Sequence, residues 1–122
     1  EKPDEPALAK ARDEELPAIL GYLEGEVPAD GLLFGEITVA DIALAAFFRN
    51  AAFVRYAIDP TRWPKAAAYV SRVLELESFR KLRAFEELCL RTPIQKHRGA
   101  LAEAGAPVSD ATFYTDTPRR GP

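Results

Sequence analysis

The chain holds one histidine, His97, and one cysteine, Cys89, so the chemistry these residue types share out is thin. A metal centre needs several ligands brought together, and neither residue has a companion of the right kind nearby, so no metal site is expected. Cys89 lies on the apolar side of its helix and late in it. A reactive thiolate wants a helix N-terminus or basic neighbours, and only Arg91 is close, so Cys89 reads as a small core residue. His97 reads as a solvent-facing or satisfied helix residue. No glycine-rich run follows a strand and opens a helix, which leaves out phosphate loops and dinucleotide fingerprints. No catalytic residue can be assigned. Two aromatic residues near the C-terminus, Phe113 and Tyr114, are unusual in so polar a segment. They are expected to dock on the body of the protein or to line a ligand cleft, and they are the candidate substrate-site residues.

The strongest charged candidate is Asp41, and its spacing from Thr38 gives it a folding role. Thr38 can accept from the backbone N–H of Asp41 while the Asp41 carboxylate reaches back to the N–H of Thr38, a capping box. The carboxylate also suits the positive end of a helix. Ile37 before the cap and Ile42 in the first turn are placed to form a hydrophobic staple. Behind the box the sequence is almost unbroken apolar from Ile42 to Phe48, broken by Arg49-Asn50, and apolar again from Ala51 to Val54. A helix apolar nearly all round is buried on most sides, and this one falls short of the ~20 residues of a membrane span. A central core helix from residue 39 to about 56 is the reading, with Arg49-Asn50 either a satisfied network or a seam facing another part of the protein.

Further helices flank it. Leu16, Leu20, Leu23 and Val27, with Ile19 beside them, trace one helical face. Pro17 interrupts that face, removes the bond to the Asp13 carbonyl, and should kink or split the helix. Pro28-Ala29-Asp30-Gly31 is a turn. Pro64 suits the first turn of a helix whose apolar stripe runs through Ala66, Tyr69, Val70, Val73, Leu74 and Leu76. Ser78 looks like the cap of a further helix, and Thr92-Pro93 like the start of a short one ending at Gly105. No stretch alternates with period two, so no strand is expected. The fold class is all-α, with residues 1–105 a helical domain and 106–122 an extended tail.

A net charge of -3 gives no electrostatic case for nucleic acid or an anionic membrane. A lone cysteine fits a reducing, cytoplasmic setting, and no secretory segment or long apolar run is present. The chain starts at Glu1 and contains no methionine, which points to a piece of a longer protein.

Thr38-Val39-Ala40-Asp41-Ile42-Ala43-Leu44 at the start of a buried helix resembles the capping box and staple of the glutathione transferase C-terminal domain. Gly31-Leu32-Leu33-Phe34-Gly35-Glu36 is similar to that family's Tyr-Leu-x-Gly-Asp lead-in, with Phe34 shifted and Glu36 as the acid. Trp63-Pro64-Lys65-Ala66-Ala67-Ala68-Tyr69-Val70-Ser71-Arg72-Val73 resembles the next helix of that domain. The likeness covers roughly residues 6–90. It implies a helical bundle resembling that domain, which scaffolds an active site and lines part of a hydrophobic electrophile site. It implies glutathione as co-substrate, bound by a thioredoxin-like N-terminal half that has no counterpart here, and a homodimer when full length. The first long helix of the all-α half also has no counterpart. Of the family's residues only Thr38 and Asp41 carry over, as structure. The alternative is a non-catalytic transferase-like protein-interaction module.

Overall fold

The computed structural model describes residues 4–109, and Phe113 and Tyr114 lie outside them. Among the described residues there are helices and no strand, and no helix is long and apolar enough to cross a membrane. The chain divides into two compact units, Glu1–Leu76 and Glu77–Pro122, so the division falls inside the span 1–105.

The first unit begins with α1 (Glu5–Lys10), whose N-cap Asp4 accepts the Ala7 N–H at 3.1 Å. The helical path continues through a π turn (Ala11–Glu15) into α2 (Leu16–Glu26). Pro17 explains the π turn. It offers no N–H to the Asp13 carbonyl and its ring would crowd that oxygen. The chain widens by a residue there, and the Leu16 N–H bonds to the Ala11 carbonyl instead. The helix is thus divided by a wide turn. It ends at Val27, which is extended and precedes Pro28.

Helix α3 (Val39–Phe53) and helix α4 (Pro64–Leu74) complete the unit, and α4 packs on both α2 and α3. The core collects Leu20 from α2 and Val27 just after it, Ala45 and Phe48 from α3, and Ala66, Tyr69, Val70 and Val73 from α4, with Trp63 just before it. Leu20, Tyr69 and Val73 are fully enclosed; an aliphatic or aromatic side chain buried this way contributes about 1.5–3 kcal/mol.

Two expectations for the central helix are corrected. Helix α3 is not buried on most sides. Asp41, Ala45 and Phe48 form one inward stripe, while Phe47 is 51% and Val39 79% exposed. It also stops at Phe53, short of residue 56. Val54 caps it and Arg55 takes a left-handed φ of 62°. The Tyr56 N–H reaches the Ala51 carbonyl at 3.1 Å and the Arg55 N–H reaches Ala52 at 3.0 Å, a Schellman motif.

The second unit contains α5 (Glu77–Arg91), a 3₁₀ turn (Ile94–Lys96) and α6 (His97–Glu103), which packs on α5. Ser78 is not the cap of α5, since the helix already includes Glu77. Nor does Thr92 cap the 3₁₀ turn; its hydroxyl points back and donates to the Leu88 carbonyl at 2.7 Å. Gly105 stops α6 at a φ of 81°, with the Ala106 N–H on Leu101 and the Gly105 N–H on Ala102, the same motif as at Arg55.

Candidate functional site

Asp41 is 0% exposed, and four donors converge on its carboxylate. The Thr38 N–H donates to Oδ2 at 2.8 Å and the Thr38 hydroxyl donates to the same oxygen at 2.7 Å. The Leu33 N–H, in the loop ahead of the box, donates to Oδ1 at 3.1 Å. The Tyr69 hydroxyl of α4 donates to Oδ1 as well. Both arms of the Thr38–Asp41 box are in place, with Thr38 in the extended conformation of an N-cap. Ile37 and Ile42 beside it are 46% and 45% exposed.

Burial alone would raise the Asp41 carboxyl. The hydrogen bonds from Tyr69, Thr38 and the Leu33 and Thr38 backbone outweigh it and hold the group well below the usual carboxylate range. Burial, then the bond to Asp41 and its negative charge, push the Tyr69 hydroxyl well above the ordinary tyrosine value, with Arg72 opposing them weakly. The pair is therefore an ionised carboxylate facing a protonated phenol. Neither group changes protonation near neutral pH, so the cluster cannot serve as a general acid or base there. It joins three segments: the loop at Leu33, the start of α3, and α4.

A second carboxylate works on the same helix. Helix α4 begins at Trp63-Pro64 with no side chain of its own at the cap. Glu24 of α2 supplies one from across the core, accepting the Lys65 N–H at 3.0 Å and the Ala66 N–H at 2.9 Å. Near the far end of α4, the Arg72 guanidinium donates to the Gly31 carbonyl at 2.7 Å and the Ala29 carbonyl at 2.8 Å. No buried side-chain nitrogen or oxygen among the described residues lacks a partner.

Among the described residues, one surface that could receive something is apolar. Ile19 and Leu23 of α2 and Leu44, Phe47 and Phe48 of α3 line an open groove of about 200 Å³. Phe47 meets the buried Phe48 edge to face, ring centres 5.2 Å apart. At the end of the same helix Phe53 is 43% exposed and lies under the Arg49 guanidinium at 5.0 Å. Phe47 and Phe53 thus present an open face, whereas Phe48 turns inward at 6% exposure.

Cys89 and His97 belong to the second unit. Cys89 is half-buried. The His97 Nε2 donates to the Thr92 carbonyl at 2.7 Å. Among the described residues no three His, Cys, Asp or Glu side chains come together as a metal site would require. The sequence reading missed Tyr69, Glu24 and Arg72 as polar partners. Tyr69 carried a signal, since a tyrosine within a core stripe needs an acceptor for its hydroxyl. Helix α4 carried another, because a start without Ser, Thr, Asp or Asn must find its cap elsewhere.

No curated protein and no solved structure is a significant match to the chain. Residues 6–72, just over half of it and all within the first unit, match the family model described as glutathione S-transferase, C-terminal domain.

Proposed function

Because the chain belongs to the glutathione S-transferase family through its C-terminal domain, we propose that it forms the helical part of a glutathione transferase-like protein. In that role it scaffolds the active site and lends apolar surface to the electrophile site. The observation that carries this reading is the groove of Ile19, Leu23, Leu44, Phe47 and Phe48, an apolar surface on the matched segment. Such a surface gains by leaving water. The proposed cover is a thioredoxin-like half, supplied in cis or as a separate chain, and the proposed assembly is a cytoplasmic homodimer. Phe113 and Tyr114 are the proposed contacts to the electrophile.

Glutathione itself belongs to the thioredoxin-like half in this proposal. Thiol activation needs a donor held at the sulfur, and recognition needs groups for two carboxylates and an amine. The polar groups that the first unit holds fixed, Asp41, Glu24 and Arg72, bond to the chain's own backbone and to Tyr69.

The test is a conjugation assay with a generic aromatic electrophile, run beside calorimetry with glutathione. The 122-residue chain alone is expected to be silent in both. Adding a thioredoxin-like half should restore turnover, and Tyr114→Ala should then raise KM for apolar electrophiles with little change in kcat. Micromolar glutathione binding by the chain alone would place the chemistry here and overturn the proposal, as would a soluble assembly with that half that stays inactive.

A further inference from the structure

The geometry points to a hinge at the π turn: residues 5–15 form a helical arm that opens by itself while α2, α3 and α4 stay folded. No residue of α1 or of the π turn is buried, and among the described residues of the first unit neither element packs substantially on anything beyond its neighbours along the same helical path. Leu8, the arm's one large aliphatic side chain, is 50% exposed. The hydrophobic effect therefore holds almost none of this segment in place.

What remains is local. Asp4 caps α1 at Ala7, Lys10 pairs with Glu15 at 3.3 Å, and Arg12 pairs with Asp13 at 2.7 Å. All of these contacts are exposed, and exposed pairs contribute little. A helix this short is marginal without tertiary support.

The junction decides whether the arm opens alone or takes α2 with it. A helix propagates because each hydrogen bond is backed by the next. Pro17 removes one bond from that ladder, and the π turn stretches the one beside it, from Leu16 back to Ala11. Beyond Pro17 the situation reverses. Leu20 is fully buried, Val27 nearly so, and Glu24 is bonded to the start of α4. Opening that begins within the arm thus meets a break before it meets a core. The proline and the π turn together mark the boundary of the cooperative unit.

Amide hydrogen exchange on the full 122-residue chain tests this. Amides 7–16 should exchange about a hundredfold faster than those of Leu23, Ala45 and Val73, the gap expected between local and global opening. Pro17→Ala restores the missing N–H and should slow amides 9–16 towards the rates within α2. Trypsin should cut first after Lys10 and Arg12 and leave a remainder whose thermal unfolding matches that of the whole chain. Arm amides protected as strongly as Val73 would overturn the inference, as would a remainder that melts earlier. If Pro17→Ala leaves arm exchange unchanged, the hinge does not lie at the proline and the proposal fails.

Discussion

Asp41 keeps its charge away from water because each nearby donor points at it, and this makes its removal costly in a particular way. Tyr69→Phe deletes one donor and leaves a buried carboxylate short of a partner, which should cost about 1.5–3 kcal/mol. Thr38→Ala removes the cap and should cost about 1 kcal/mol, up to about 2. The folded Asp41 carboxyl lies below its unfolded value of ~3.9. Its contribution is therefore complete above that value and is lost as pH falls through the lower folded one. Tyr69→Phe weakens the force holding the group down, so acid unfolding should move to higher pH in the variant. At the alkaline end the sign reverses. The folded Tyr69 hydroxyl lies above the ordinary ~10, so its contribution holds below that value and fades as pH climbs past it. Urea melts across pH check both limbs, and parallel pH profiles for parent and variant would count against the Asp41–Tyr69 bond as their source.

The two Schellman endings present the same element-level problem with different residues. Gly105 takes the left-handed position at the end of α6 without penalty, whereas Arg55 takes it at the end of α3 with a Cβ in the way. Arg55→Gly should therefore stabilise the chain by about 0.5–1 kcal/mol, the strain relief being partly offset by the freer unfolded chain. A lowered midpoint in a denaturant melt would show that the Arg55 side chain does more than fill the turn. The start of α4 makes the complementary case. Glu24→Ala leaves the Lys65 and Ala66 N–H groups without their acceptor and should cost about 1–2 kcal/mol. Glu24→Gln, which keeps one oxygen but no charge, should fall between.

For the whole molecule, the groove is lined by two phenylalanines that are neighbours in sequence but differ in burial. Phe48→Ala opens a hole in the core and should cost about 3–5 kcal/mol. Phe47→Lys gives up mainly the edge contact with Phe48, about 1 kcal/mol or less, and should sharply reduce binding of a hydrophobic dye. Dye binding that survives Phe47→Lys would locate the sticky surface elsewhere. This asymmetry was only half legible. An apolar run such as 42–48 shows that a helix exists, and the box at Thr38 shows where it starts. Which side faces in depends on where α2 and α4 lie, and no local pattern carries that. The same holds for the polar partners. Thr38 and Asp41 are three residues apart and readable as a motif, whereas Tyr69 meets Asp41 across 28 residues and Glu24 meets Ala66 across 42. Pro64 and Gly105 were legible because a missing N–H and a missing Cβ act on the residue's own backbone. Arg55 was not, since its residue type argues against the conformation it adopts.

The distance between Glu24 and the helix it caps has a consequence for time. The start of α3 is secured within its own first turn, so its nucleus can form in a chain that has not yet collapsed. The start of α4 waits until a loop of some forty residues has closed and brought α2 alongside, and closing such a loop is an entropic cost met before any bond is gained. Assembly should then run in a set order, with the box early and the Glu24 contact late. In stopped-flow chevrons Thr38→Ala should act mostly by slowing refolding, and Glu24→Ala mostly by speeding unfolding. The reverse pattern would mean that α2 and α4 meet first and that the box closes on a scaffold already built.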